Sequence, residues 1–364
     1  MNASGLPRWV DWGLLPLLNL AAALVLSGFV VLAIGENPFA AMRILVVGAV
    51  GYPEAIGFTL YYATNFVFTG LAVAIAFHAG LFNIGGEGQA YVGGLAVALV
   101  CLFLEAWPSV FVVPLAILAA AAAGAAWGAV PGWLQARRGS HIVITTIMFN
   151  FLAAALMTYL LSHVLLDPTH GAPESRRFAE HTTLWSMQQM LGWFGISAPR
   201  SPLNAAFFLA LAAAGFVYVY VWRTRAGYAL RTVGASEQAA LYAGIDPART
   251  VVVAMAISGA LAGLMAVNEL QGAQQRLLLA FVGGHGFVGI AVALMGRNHP
   301  VGVCLAALLF GALYQGGAEL SFEMRHVNRE MVVVIQGLII LFCGALENMF
   351  RPALARAFAA RTAA

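Results

Sequence analysis

Lysine is missing from this chain: all 18 basic residues among its 364 are arginine. A phosphate loop of the Walker type needs a lysine to reach the nucleotide phosphates, so the chain cannot hydrolyse ATP by that device. Schiff-base chemistry, which also needs a lysine, is excluded with it. Charge of either sign is scarce, at 9% of residues, against about a quarter in soluble globular domains. That excludes a soluble fold, and a net charge of only +3 gives no ground for a nucleic-acid partner. Cysteine is limited to Cys101, Cys304 and Cys343, each alone in an apolar run. They form neither a metal spacing nor a disulfide framework and read as small buried hydrophobes. The eight histidines are scattered without an HExxH, so no metal site is expected. No Ser/His/Asp spacing, paired carboxylates or nucleophile elbow occurs, so catalytic residues and cofactors are expected to be none.

What remains is hydrophobic: 62% of the chain. A membrane span needs about 20 mostly apolar residues. Ten runs qualify, near 13–34, 57–77, 84–104, 110–130, 142–165, 203–222, 250–269, 281–296, 300–318 and 331–348. The expected fold is therefore an all-α polytopic integral membrane protein of about ten transmembrane helices, 1–364 forming a single transmembrane domain. The third and eighth runs are rich in glycine. The first is too long for the apolar region of a signal peptide and reads as a retained span. Residues 35–56, with Glu36, Pro38, Arg43 and Pro53 around an apolar middle, suit a short interfacial helix.

Ten spans put both termini on one side. With those termini in the cytoplasm, the inner segments hold eleven arginines: Arg8, Arg137, Arg138, Arg223, Arg225, Arg231, Arg249, Arg297, Arg351, Arg356 and Arg361. The outer segments hold seven, Arg43, Arg176, Arg177, Arg200, Arg276, Arg325 and Arg329. The excess of arginine inside favours this orientation. It makes 223–249 a cytoplasmic segment and 166–202, the longest polar loop, an outer one.

An internal echo runs through the chain. Gly94-Leu-Ala-Val-Ala-Leu99 follows Gly85-Gly-Glu-Gly88, and Gly289-Ile-Ala-Val-Ala-Leu294 follows Gly283-Gly-His-Gly286, an offset of 195 residues. It lays the third span over the eighth. Two halves of five spans, about 13–165 and 203–348, would then sit in opposite orientations, the inverted repeat of many transporters. Chance in an Ala/Val/Gly-rich chain is the competing reading.

The polar stretch Arg223–Arg249 stands between two apolar runs. Ser236 suits a helix N-cap, Ala239, Ala240 and Ala243 favour helix, Gly244 can end it in the left-handed conformation, and Pro247 stops it. About two helical turns are predicted, with a small-residue face that another protein could approach. An ordinary amphipathic loop helix fits the pattern equally.

Within the membrane, His78–Gln89 is the least usual stretch, placing Asn83, Glu87 and Gln89 among four glycines at a span boundary. Glycines let the backbone leave the helix and line a pathway. Glu87 reads either as a helix cap or structural lock, or as part of that lining. Thr145, Phe149 and Asn150 lie near one end of the fifth span. An aromatic ring with an amide suits a sugar or nucleoside, and Thr and Asn also tie membrane helices together. His285, in Gly283–Gly286, belongs to a second break or to a plain glycine turn. Asn65 and Glu269 are polar in or near apolar spans, but Asn268–Gln271 is predicted to reach the outer interface, and Glu319–Glu330 to be a solvated outer loop.

GLFNIGGEGQ (80–89), ITTIMFN (144–150), ALRTVGASEQAALYAGID (229–246) and GFVGIAVALMGRNHPVG (286–302) together resemble, in motif order, the permeases of bacterial ATP-binding-cassette importers. The superfamily is that of branched-chain amino acid, ribose and nucleoside permeases, and the overall look is similar to its simple-sugar/nucleoside members. The resemblance spans about residues 13–350. It implies a permease subunit of the bacterial inner membrane, embedded in lipid and partnered by ATP-binding subunits that carry out hydrolysis. A second homologous permease and a periplasmic or lipoprotein substrate-binding protein complete the assembly. It implies that Gly234, Ala235, Ala239, Ala240 and Gly244 sit in a groove of the ATPase. The candidate pathway residues are then Asn83, Glu87, Gln89, Phe149, Asn150 and His285. An ion-coupled secondary transporter is the rival reading, and branched-chain amino acids are the rival cargo.

Overall fold

The structure is a computed structural model that describes residues 10, 14–169, 171–324, 326–341, 352, 354 and 356. Cys343, Arg8, Arg325, Arg351 and Arg361 lie outside the described residues, as does the end of the tenth expected span. The described residues are helical and carry no strand, with only two isolated bridges.

The elements run α1 (Leu15–Ala33), α2 (Pro38–Val50), α3 (Pro53–His78), α4 (Gly86–Phe103), α5 (Ser109–Arg138), α6 (Ile142–His163) and α7 (Met187–Gly192). Then follow α8 (Ala206–Arg223), α9 (Arg225–Ala235), α10 (Glu237–Tyr242) and α11 (Pro247–Ala266), which widens into a π-helix over Val267–Gln274. After them come α12 (His285–Met295), α13 (Pro300–Glu323) and α14 (Arg329–Ile340). Among the described residues, seven helices are long and apolar enough to cross a membrane: α3, α4, α5, α6, α8, α11 with its π extension, and α13. The eighth expected run holds only the 11-residue α12, which rises about 16 Å, roughly half of a 30 Å hydrocarbon layer.

The chain divides into two compact units. The first comprises 1–55 and 312–364. There Asn37 caps α2 by accepting from Phe39 N, and Pro38 occupies its first turn. With 13 residues α2 is too short to span, as its composition predicts. Glu319, expected in a solvated loop, instead lies within α13, half-buried. Its carboxylate accepts from Tyr52 Oη at 2.6 Å and Gln315 Nε2 at 3.1 Å. Glu36 pairs with His326 across 2.8 Å.

The second unit, 56–311, is built on α3, α4, α5 and α11. α5 and α11 pack backbone to backbone. A Cβ on Gly124 or Gly259 would collide with the other's carbonyl oxygen, and one on Gly263 with that of Ala120. Lipid offers apolar groups no hydrophobic reason to leave it, so close approach over small residues is what holds such helices together. α3 supplies the core, with Phe66, Phe68, Leu71, Ala72 and Ala74 fully buried. By contrast α5, α6 and α8 are mostly exposed along their apolar faces. Segment 166–202 is docked rather than free. Arg176 pairs with Glu105 at 2.8 Å and Arg276 with Glu174 at 2.6 Å. Backbone bonds run from Ser175 N to Leu277 O and from Leu184 N to Gln271 O.

Candidate functional site

Two helices of the second unit begin inside it, after irregular chain. The turn that follows α3 closes at Gly80, whose φ of +74° suits glycine. The chain then runs non-helically through 81–85 before α4 starts at Gly86. The second break is 275–284, closed by Gly283 and Gly284 at φ +59° and +83°, after which α12 starts at His285. The two helix starts meet. A Cβ on Gly286 would collide with Glu87 N, and one on Gly86 would lie 3.4 Å from Gly286 O. The Glu87 carboxylate accepts from Gly284 N at 2.9 Å and from Gly286 N at 3.0 Å. It therefore caps α12, a helix almost 200 residues further along the chain, where the first-turn amides and helix dipole favour a negative group.

The other polar residues of the first break are bonded to the protein. Asn83 donates to Ser258 Oγ at 2.8 Å and to Gln89 Oε1 at 3.1 Å, and accepts from Gly85 N at 2.8 Å. Ser258 Oγ in turn donates to Ala72 O at 2.6 Å. Asn150 accepts from Gly88 N at 2.8 Å and donates to Ile84 O at 2.9 Å. Its amide thus serves as a peptide-like partner to backbone that the break leaves unpaired. Phe149 packs edge-on against Trp127, ring centroids 5.2 Å apart.

A second cluster lies where apolar periodicity gave little warning. Asn268, Glu269 and Gln271 are buried within the protein, which a position near the outer interface gave no reason to expect. The helix continues past Glu269 as a π-helix, and segment 166–202 covers it, Gln271 Nε2 donating to Thr182 O at 2.8 Å. Asn65 on α3 donates to Glu269 Oε1 at 2.6 Å and accepts from Asn268 Nδ2 at 2.7 Å. Asn204 donates to Asn268 Oδ1 at 2.9 Å. His285 Nδ1 stands 3.9 Å from the Glu269 carboxylate and 3.4 Å from Asn65 Nδ2, its ring edge-on to Phe66. The structure thus gathers Asn65, Glu269 and His285 from α3, the π-helix and α12. The available signal was a carboxylate and an amide in apolar runs. Their meeting, across some 200 residues of chain, left no trace in either local pattern.

The polar stretch 223–249 holds two helices, α9 and α10. Ser236 caps α10, accepting from Ala239 N at 3.3 Å, and Gly244 ends it at φ +72°. Pro247 does more than stop it: with Asp246 accepting from Arg249 N at 3.2 Å, it opens α11. Ala235, Ala239 and Gly244 face outward, but Ala240 is fully buried within the protein and cannot enter another protein's groove. Gly234 is covered on its Cβ side by residues 78–80. The prominent exposed groups are Leu241 and Tyr242, the latter 96% exposed. An alanine count alone could not single them out.

With this geometry in view, comparison with known proteins is decisive. The sequence pattern of the family described as branched-chain amino acid transport system / permease component matches residues 55–344. The chain belongs to this family. Among its relatives is the glucose ABC transporter permease protein TsgB13 of Haloferax volcanii, 35% identical over 92% of this chain and 88% of that one. The guanosine ABC transporter permease protein NupP of Bacillus subtilis is 36% identical over 90% and 92%. The ribose import permease protein RbsC of Escherichia coli K12 is 25% identical over 72% and 75%. The chain is thus a multi-pass membrane permease component of the ABC importer kind, related to sugar and nucleoside permeases.

Proposed function

We propose that this permease forms the translocation pathway for a nucleoside or simple sugar in an importer driven by separate ATP-binding subunits. A second homologous permease and a substrate-binding protein complete it in the bacterial inner membrane. The observation that carries the reading is the pairing of near-equal likeness to a glucose and a guanosine permease with two interrupted helices meeting at Glu87. Interrupted membrane helices are tolerated where they line a cavity or are buried in protein.

The topology proposed is ten crossings with cytoplasmic termini and inverted halves, the eighth crossing made by the break 275–284 plus α12. Support comes from contacts between loops. Glu105, 174–181 and 276, which alternation puts outside, touch one another. So do 78–80, 234 and 298, which it puts inside. Asn83, Gln89 and Asn150 are proposed to hold the wall of the pathway, and Phe149, Glu87 and His285, joined by Asn65 and Glu269, to shape it. A buried carboxylate among amides and rings is suited to accept hydroxyls of a sugar or ribose. At the ATPase, Ala235, Ala239 and Gly244 give close approach, while Leu241 and Tyr242 are the anchors.

The test is uptake of labelled guanosine and labelled glucose by the whole complex, with intact ATP-binding subunits or subunits lacking their catalytic carboxylate. Uptake that needs hydrolysis, blocked by nucleosides or by sugars but not leucine, is the expected result. Uptake indifferent to hydrolysis but abolished by an uncoupler would move the chain to ion-coupled transport.

A further inference from the structure

Residues 78–80 meet the chain on both sides of the start of segment 223–249, at Trp222 in the last turn of α8 and at Gly234 near the end of α9. In the last turn of α8, just before the segment, Trp222 lies edge-on to the His78 ring, centroids 5.1 Å apart, and 5.0 Å from the His299 ring. At the end of α9, Gly234 lies directly on residues 78–80. A Cβ there would collide with His78 O and lie 2.9 Å from Gly80 N. Gly234 has no left-handed backbone to explain its glycine, so the close contact is what demands it. The C-terminal end of α9, through Gly234, and the last turn of α8 before it, through Trp222, are thus both held against the point where α3 gives way to the first break.

The same point reaches the second break. His78 Nε2 lies 3.0 Å from Asn298 O, in the turn that follows α12. That turn is held by left-handed Arg297 and Asn298, at φ +52° and +55°. At its other end, α12 is bonded to Glu87. One displacement of α9 thus bears, through residues 78–80, on the start of the first break and on α12 from its C-terminal end. Backbone packed on backbone cannot slip as flexible side chains do, and packed contacts of this kind switch between discrete arrangements.

We propose that Gly234 and Gly80, with the His78 ring, are the joint through which motion of the cytoplasmic segment reaches both interrupted helices. The inference rests on the proposed ATP-driven mechanism, and the residues are positioning residues that touch neither nucleotide nor cargo. The experiment is reconstitution of the whole complex in proteoliposomes, with Gly234→Ala and Trp222→Leu permeases. Subunit co-purification, ATP hydrolysis and uptake of labelled guanosine and glucose are measured together. Gly234→Ala is expected to keep assembly and hydrolysis within about two-fold of wild type, while cargo moved per ATP falls about ten-fold. Trp222→Leu is expected to lower the same ratio about three-fold, and supplies the test should Gly234→Ala fail to accumulate. An unchanged ratio in an assembled variant overturns the joint and leaves the ATP-driven reading standing. Uptake by the wild type that ignores ATP overturns that reading, and the joint with it.

Discussion

Glu87 binds two backbone amides nearly 200 residues away, so the cap read for it from residue type acts on a helix the sequence did not name. Asn150, read as an amide that either meets substrate or ties helices, has both its polar atoms engaged by residues 84 and 88. Asn150→Leu should leave Gly88 N and Ile84 O unpaired in a buried site. Each such group costs about 1–3 kcal/mol, so the expected outcome is less folded protein in the membrane, read by quantitative blotting and detergent melting. Glu269→Gln keeps an acceptor for Asn65 but removes the charge. If Glu269 accepts cargo hydroxyls, KM should rise about ten-fold, in line with the ~1.5 kcal/mol of a charge-assisted hydrogen bond, with protein amount unchanged. A KM equal to wild type would reduce Glu269 to a helix tie.

At the scale of elements, α10 was legible and its outward face was not. The Ser236 cap and the Gly244 stop are local rules, since both depend on backbone within one helical turn. Which alanine points inward depends on how α9 and α11 hold that turn, so Ala240 was misplaced. Tyr242→Ala combined with Leu241→Ala should weaken capture of the ATP-binding subunits at least ten-fold in co-purification from solubilised membranes, leaving permease levels unchanged. Ala240→Trp should instead lower permease levels, because no room exists for an indole at a fully buried methyl. The glycine-rich run at 80–89 suggested a break, and that at 283–286 either a break or a plain turn. They could not announce that α4 and α12 begin against each other, because a close approach leaves glycine on each side and nothing to pair them.

For the whole molecule, the proposed sidedness makes a direct prediction. Gln238 and Gln188 are both exposed, in segments placed on opposite faces. Single cysteines at those positions, with native cysteines replaced by alanine, should be labelled by an impermeant maleimide only from opposite sides: Gln188→Cys in whole spheroplasts, Gln238→Cys in inverted vesicles. Labelling of both from one side would dismantle the alternation.

The sequence by itself determined that the chain is helical and lies in a membrane, where the seven long helices of the described residues run, which glycine-rich stretches could interrupt the backbone, and where α10 begins and ends. Those outcomes follow from transfer of apolar side chains and from backbone rules that act within one turn. Only the tertiary structure decided that Glu87 caps α12, that Asn65 meets Glu269 and His285, that Ala240 faces inward, and that Gly234 rests on residues 78–80. Each of these joins residues far apart in the chain. The cost of leaving a polar group unpaired in an apolar interior selects its partner, and that partner is defined by packing geometry rather than by any neighbouring sequence.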